Sequence, residues 1–212
     1  EGGAVFMNDP LLKLIAESFR DWGRDCYCAP GKDDTCGKRF DQQFGNLPDG
    51  YDHKYVYSHL GYNLKITDMQ AACGLAQLDS LEYFIAKRRE NFNYFSERLS
   101  SLDEFIELAT PTEGSNPSWF GFPITLKESS GVRRVDLTKY LDQFKIGSRL
   151  LFAGNIISQP YFNEIKYRIS GDLNNTDRTM AQTLWLGVQP TVSKEHYNFI
   201  AEKLEEFFGV SF

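Results

Sequence analysis

The sequence lacks the features that would direct it to a membrane or a nucleic acid. Lys and Arg number 23 against 29 Asp and Glu, for a formal charge of −6 without a basic stripe, which argues against nucleic acid as a main partner. No apolar run approaches the roughly 20 residues of a membrane-spanning helix. No basic segment followed by an apolar stretch stands at the start, so no secretory signal is predicted. These absences favour a cytoplasmic protein that works on neither membranes nor nucleic acids.

Cysteines are also few, and most of them lie close together in the sequence. Of four cysteines, Cys26, Cys28 and Cys36 form a C-x-C-x7-C cluster, and Cys73 stands apart. Without a secretory signal, a metal explains the cluster better than disulfides do. The spacing matches neither the ferredoxin patterns nor a paired C-x-x-C zinc site, so zinc and iron–sulfur are equally favoured on spacing alone. Three unligated thiols are the remaining alternative, and no fourth ligand is evident. Cys73 lies on an apolar helical face and is predicted to be a packed thiol.

The content of 42% hydrophobic and 25% charged residues is ordinary for a protein with a packed core. Periodicity and capping signals predict an α/β fold. The predicted helices are one opened by Asp9-Pro10, one from Asp68, and those near 81–99, after 136, 174–184 and 193–208. The predicted strands are 3–6, 55–60, 105–108, 119–126, 148–152 and 186–188. A junction is placed near residue 101, and the loop 21–55, long enough to be functional or flexible, contains the cysteine cluster.

A candidate anion site precedes the second predicted helix. Thr67 and Gln70 form a capping-box pattern at its start. Free amides and the helix dipole at such a start suit an anion, and the amide of Asn63 in Gly61-Tyr62-Asn63 can add a donor to a phosphate. A Gly-x-Asn sequence by itself is more often a simple turn.

Other candidates are weaker. Arg149 and Arg178 could bind a diphosphate through paired guanidinium donors, although most arginines are merely solvated. Phe120 lies in an aromatic segment whose default interpretation is core packing. His53 and His59 flank another aromatic stretch, and without geometry they are interpreted as surface or hydrogen-bonded core histidines.

Several segments together resemble the DegT/StrS sugar-aminotransferase family of fold-type I coenzyme B6 proteins. They are Glu1–Phe6, Arg20–Cys26, Gly61–Ala72 and Gln77-Leu78. The resemblance covers the whole chain and implies the C-terminal part of such a transferase. Residues 1–100 would then be the remainder of the large cofactor-binding domain, with the cysteine loop and a long connecting helix, and 101–212 the small α/β domain. It also implies a homodimer in which Asn63 contacts the phosphate of pyridoxal or pyridoxamine 5'-phosphate in the partner subunit.

Within this family, C-x-C-x7-C resembles the iron–sulfur 3-dehydrases of nucleotide-sugar metabolism. That resemblance implies a 2Fe-2S cluster on Cys26, Cys28 and Cys36, with the fourth cysteine upstream. The catalytic base, a histidine in place of the usual lysine, is likewise expected upstream of Glu1. Phe120 stands where ordinary members commonly have a histidine and would lie near the cofactor. The implied substrate-binding residues are Asn155, Arg178 and Arg149.

The implied activity is removal of the C3 hydroxyl of CDP-4-dehydro-6-deoxyglucose, toward 3,6-dideoxyhexoses of lipopolysaccharide O-antigens. Electrons would come from a separate NADH-dependent iron–sulfur flavin reductase. The chain alone is expected to be inactive, because the base and most of the ring-binding domain lie upstream. An ordinary sugar aminotransferase or cluster-free dehydratase is a first alternative, which the cysteines and Phe120 disfavour. A non-catalytic zinc module is a second, which Gly61-Tyr62-Asn63 and the missing fourth ligand disfavour.

Overall fold

The computed structural model describes residues 2–210; Glu1, which opens the first family segment, lies outside them. The chain divides into two compact units, Glu1–Leu78 and Asp79–Phe212. The sequence places the junction near residue 101, whereas the units divide between residues 78 and 79 because helix α3 (Leu81–Arg98) buries Phe92 and Phe95 in the second unit's core. The assignment of these parts to the domains of a whole enzyme stays a prediction.

The first unit contains two helices, and both begin where their capping residues predict. The carboxylate of Asp9 accepts hydrogen bonds from the backbone N–H groups of Leu11 and Leu12 at 2.8 and 3.3 Å, and α1 runs over Pro10–Arg20. Helix α2 runs over Asp68–Leu78. Side-chain and backbone groups of Thr67 and Gln70 bond reciprocally at its start, at 3.0 and 3.3 Å. The predicted capping box is therefore confirmed.

Two strands predicted in this unit do not form. Residues 3–6 have no regular structure, and residues 55–60 contain a 3₁₀ end and an isolated bridge between Arg24 and Tyr57. A strand needs a neighbour to satisfy its backbone groups. Within the described part of the unit, neither segment has an adjacent strand with which to form a ladder.

The second unit contains an antiparallel sheet of four strands in the order β1-β2-β4-β3. The strands are β1 (Ile106–Leu108), β2 (Gly121–Leu126), β3 (Arg149–Leu150) and β4 (Thr183–Gly187). Strand β4 begins earlier than predicted, because Thr183 and Leu184 pair with β2 instead of extending the preceding helix. The predicted strand 148–152 is confirmed only at its two paired residues.

The helices of the second unit enclose an apolar core. Besides α3, they are α4 (Arg134–Gln143), α5 (Asn174–Gln182) and α6 (Lys194–Phe208). The fully buried large side chains come from α3, the turn that follows it, α4, α6 and the sheet, and include Phe95, Phe122, Leu141, Leu184 and Tyr197. Across residues 2–210, none of the helices is both long and apolar enough to span a bilayer.

Candidate functional site

The cysteine loop, residues 21–56 between α1 and α2, has a polar centre. In the described part of the first unit, the buried side chains are those of His53 and Val56. Burying a histidine is unfavourable unless its ring nitrogens find partners. The fold of this loop therefore depends on the contacts of His53.

Those contacts come from separate parts of the loop. The ring Nε2–H donates to the carboxylate of Asp25 at 2.6 Å, and the backbone N–H donates to the carbonyl of Arg39 at 2.9 Å. The ring stacks on Phe44 with centroids 5.0 Å apart and planes at 15°. Nδ1 lies 3.9 Å from Sγ of Cys36. His53 thus joins Asp25, which immediately precedes Cys26, to the other end of the cysteine cluster.

An ion pair reinforces the same arrangement. Nε and Nη2 of Arg39 donate to the two carboxylate oxygens of Asp52 at 2.9 and 2.7 Å. This paired hydrogen bonding lowers the pKa of Asp52 to about 2. Asp52 also accepts from the backbone N–H of Lys54, whose side chain pairs with Asp33 at 2.6 Å. The carboxylate next to His53 therefore stays ionised and ties Arg39, in the middle of the loop, to the segment that contains His53.

The three clustered thiols are free and face one small cavity. Its volume is about 10 Å³, close to that of one water molecule. The lining residues are Cys26, Cys28, Cys36, His53 and their charged neighbours Asp33, Asp34, Arg39 and Lys54. The three cysteines therefore line one cavity, and their role as metal ligands stays a prediction.

The thiols differ in their electrostatics. Cys28 Sγ lies 3.0 Å from the hydroxyl of Thr35, and this hydrogen bond lowers the pKa of Cys28. Burial raises the pKa of Cys26. A thiolate is the form that binds soft metals, so the contact with Thr35 favours the ligating form of Cys28 over that of Cys26.

Three sulfur donors on an exposed loop fit a thiophilic metal or an iron–sulfur group in chemistry and placement. In residues 2–210, no three His, Cys, Asp or Glu side chains already form a metal-binding group. Cys73 is exposed on α2, so the prediction of a packed thiol is wrong: its helix has no packed partner within the described unit.

Asn63 sits on a closely packed backbone. The neighbouring N–H groups of Tyr62 and Leu64 donate to the carbonyls of Phe19 and Arg20 at 2.7 and 3.0 Å, at the end of α1. Gly61 permits this approach, since a Cβ there would overlap the backbone at Gly23. The exposed Asn63 amide is thus held on a fixed support four residues before Thr67, an arrangement that fits a phosphate contact.

Phe120 is exposed at the start of β2, with its ring centroid 5.2 Å from that of Trp185. Trp185 in turn lies over Gly121, where a Cβ would overlap the indole. Phe120 is therefore not packed in the core, which was the default interpretation of its aromatic segment. Its position near a cofactor stays a prediction.

The three predicted substrate-binding residues have different surroundings. Asn155 is buried, and its amide donates to Asp177 at 2.6 Å. Arg178 pairs with Glu107 at 2.5 Å, and Arg149, on β3, is exposed and donates to a backbone carbonyl. Their roles in substrate binding stay predictions, and of the three Arg149 presents the most open side chain.

The sequence did not indicate how His53 serves the cysteine site. It lies 28 residues from Asp25 and 17 from Cys36, and no regular periodicity connects these positions. The usable signal was chemical: a histidine within a cysteine-bearing loop can contact a thiol.

Known proteins resemble this chain in sequence. The DegT/DnrJ/EryC1/StrS aminotransferase family matches residues 1–205. The lipopolysaccharide biosynthesis protein RfbH of Salmonella typhimurium is 66% identical over all of this chain and 48% of its own length. The dTDP-4-dehydro-2,6-dideoxy-D-glucose 3-dehydratase of Saccharopolyspora spinosa is 46% identical over all of this chain and 46% of its own length. The chain thus spans about half the length of these curated relatives.

Solved structures of this family share the fold of the chain. The E. coli GDP-4-keto-6-deoxy-D-mannose-3-dehydratase with bound hydrated PLP superposes with a TM-score of 0.73 at 25% identity, over 92% of this chain and 48% of that one. A Brucella abortus aminotransferase of the same family superposes with a TM-score of 0.70 at 19% identity, over 96% and 45%. The predicted fold, part of a fold-type I PLP-dependent transferase, is confirmed. The chain belongs to the DegT/DnrJ/EryC1/StrS aminotransferase family.

Proposed function

We propose that the whole protein, meaning a polypeptide of the relatives' full length that carries these 212 residues, removes the C3 hydroxyl of CDP-4-dehydro-6-deoxyglucose. The product would serve 3,6-dideoxyhexose synthesis for lipopolysaccharide O-antigens in the cytoplasm. The proposed cofactors are pyridoxamine 5'-phosphate and a 2Fe-2S cluster, with electrons from a separate NADH-dependent iron–sulfur flavin reductase. The names of two relatives, a lipopolysaccharide biosynthesis protein and a sugar 3-dehydratase, support the reaction class.

The observation that carries the proposal is the convergence of Cys26, Cys28 and Cys36 on one cavity of the cysteine loop. Sugar aminotransfer and cluster-free dehydration use no such thiols, and a soft three-sulfur set suits an iron–sulfur cluster. When bound, pyridoxamine phosphate would supply an electron sink and the cluster single-electron transfer. The fourth thiolate would come from residues upstream of Glu1.

The residues of this chain then have defined tasks. Asn63 donates its amide to the cofactor phosphate of the partner subunit in a homodimer. Phe120 contributes an apolar surface near the cofactor, where a histidine would offer a competing proton donor. Asn155, Arg149 and Arg178 orient the CDP-sugar, with Arg149 best placed to contact diphosphate oxygens. The general base comes from the upstream part of the whole protein.

A turnover assay tests this proposal. The whole protein, anaerobically reconstituted with iron and sulfide, is mixed with the CDP-sugar, reductase and NADH, and products are analysed by mass spectrometry. We expect a product that has lost the C3 oxygen, and no such product from the Cys26/Cys28/Cys36→Ser variant. Cys73→Ser is the matched control and should retain turnover.

Other products identify the alternatives. An aminated sugar formed with an amino-acid donor would indicate an aminotransferase. Dehydration with full activity in the triple cysteine variant would indicate a cluster-free dehydratase. Binding of zinc with neither reaction would indicate a zinc module. We expect the 212-residue chain alone to give no turnover, because it spans about half the length of its curated relatives; turnover by it would contradict the proposal.

A further inference from the structure

His53 is the most constrained side chain of the cysteine loop. It is 5% exposed, and apart from Val56 no other described side chain of the first unit is buried. An apolar residue could fill the same space without the penalty of burying an imidazole. Packing alone therefore does not explain why a histidine occupies this buried position.

The ring orientation supplies that reason. Asp25 fixes Nε2 at 2.6 Å, and Phe44 fixes the plane of the ring. Nδ1 is thereby turned toward Sγ of Cys36 at 3.9 Å. In metal sites, a carboxylate on one ring nitrogen fixes the orientation of a ligating histidine in the same way, and outer partners of this kind affect metal affinity strongly.

We propose that His53, oriented by Asp25, is a positioning residue that holds Cys36 in place and hydrogen-bonds its sulfur when the cluster is bound. The inference rests on the cluster of the proposed function. Because Nε2–H already donates to Asp25 and a ligating thiolate can only accept, this contact needs a proton on Nδ1 as well, so that His53 carries both ring protons between the carboxylate and the thiolate. The amide of Gln42 also lies 3.5 Å from Nδ1, and the sulfur would replace it as the partner of this nitrogen.

The second effect of His53 is to connect the cluster's ligands. Asp25 immediately precedes Cys26, and its backbone N–H donates to the carbonyl of Val56 at 2.9 Å. One ring therefore couples the position of Cys26 to that of Cys36. Hydrogen bonds to cluster sulfurs also help set the reduction potential, so His53 should affect both retention and redox behaviour.

Two substitutions separate these effects. Glutamine places its amide where Nε2 stood, so His53→Gln keeps the Asp25 contact and loses the one to Cys36. Asparagine places its amide where Nδ1 stood, so His53→Asn does the reverse. His59→Gln is the matched control, because His59 contacts Ser18 and Phe19 and does not line the thiol cavity.

The measurements are made on the reconstituted whole protein: iron and sulfide content, EPR g-values, midpoint potential, and the rate of cluster loss to a chelator. We expect His53→Gln to keep a cluster with shifted g-values and a lower potential. His53→Asn should keep near-wild-type g-values but lose the cluster about tenfold faster, as should Asp25→Asn. His59→Gln should match the wild type in all four.

The outcomes are distinguishable. A wild-type protein that assembles no iron and sulfide refutes the cluster of the proposed function. A wild-type cluster that His53→Gln, His53→Asn and Asp25→Asn leave unchanged in spectrum, potential and release rate overturns the role of His53 alone. If His53→Gln fails to fold, Asp25→Asn decides, and an unchanged release rate in that variant overturns the inference.

Discussion

In the unit Asp79–Phe212, helices and sheet enclose a continuous apolar core, whereas in the unit Glu1–Leu78 the described buried side chains are a valine and a histidine. The second unit is therefore stabilised mainly by removal of apolar surface from water. The first is organised by a buried histidine, ion pairs and close backbone contacts, each of small net stability. Those contacts fix the positions of the three clustered thiols and of the Asn63 amide. The first unit therefore positions chemical groups, whereas the second has the apolar core that stabilises a fold.

We expect the largest difference between the two units when a phenylalanine in each is replaced by alanine and the free energy of unfolding is measured. Phe95 is fully buried, with ring centroids 4.5 Å from Phe122 and 5.0 Å from Tyr197. Phe95→Ala should lower the free energy of unfolding by about 3–5 kcal/mol, measured by urea denaturation followed by circular dichroism. Phe40→Ala, at an exposed site of the first unit, should change it by less than about 0.5 kcal/mol. Equal losses would remove the contrast between the units.

A substitution in the first unit should affect binding instead. In the whole protein, Asn63→Ala should weaken cofactor affinity about ten- to hundredfold, since a hydrogen bond to a charged phosphate contributes roughly 1.5–3 kcal/mol. The free energy of unfolding of the apoprotein should change little, because the Asn63 side chain is exposed. Fluorescence titration with pyridoxal phosphate measures the affinity. In mixed dimers, a subunit lacking Asn63 should impair its neighbour's site, and wild-type affinity in the variant would refute the assignment.

Two paired glycines of the sheet should differ in how much stability is lost when each is replaced by alanine. Gly121 and Gly187 face each other across β2 and β4, but a Cβ overlaps Trp185 only at Gly121. Gly121→Ala should destabilise the second unit by about 1–3 kcal/mol through overpacking and shift tryptophan fluorescence. Gly187→Ala, with open space around its Cβ, should be nearly neutral. Comparable effects at both positions would show that the indole does not require Gly121.

The smallest expected effect is a difference between two thiols. Because the pKa of Cys28 is lowered by Thr35 and that of Cys26 is raised by burial, Cys28 should become a thiolate at lower pH. Alkylation of the metal-free chain by iodoacetamide, followed by peptide mass spectrometry from pH 6 to 9, should label Cys28 at lower pH than Cys26. Thr35→Val should move the Cys28 profile to higher pH and leave Cys73 unchanged. Equal profiles for Cys26 and Cys28 would contradict these directions.

Helices proved easier to predict from the sequence than strands. Asp9, Thr67 and Gln70 act within a few residues of the helix they cap, so the starts of α1 and α2 could be inferred locally. The predicted strands 3–6 and 55–60 failed because a strand depends on a distant partner. Likewise β4 began at Thr183, where pairing with β2 overrode the helical pattern.

The candidate site shows the same limit. Cys26, Cys28 and Cys36 were recognisable because their spacing is short. The central role of His53 was not, because its contacts with Asp25 and Phe44 arise from the path of an irregular loop. The pairing of Arg178 with Glu107, and of Asn155 with Asp177, was equally hidden by sequence distance.

In the proposed function, the cysteine loop presents three thiols to a 2Fe-2S cluster. Iron and sulfide analysis, with visible spectroscopy of the anaerobically reconstituted whole protein, measures that cluster. We expect two iron and two sulfide per chain in the wild type and in Cys73→Ser. We expect loss of both, and of the visible absorbance, in Cys26→Ser, Cys28→Ser and Cys36→Ser. An intact cluster spectrum in the triple serine variant, or its loss in Cys73→Ser, would refute the assignment of these thiols as cluster ligands.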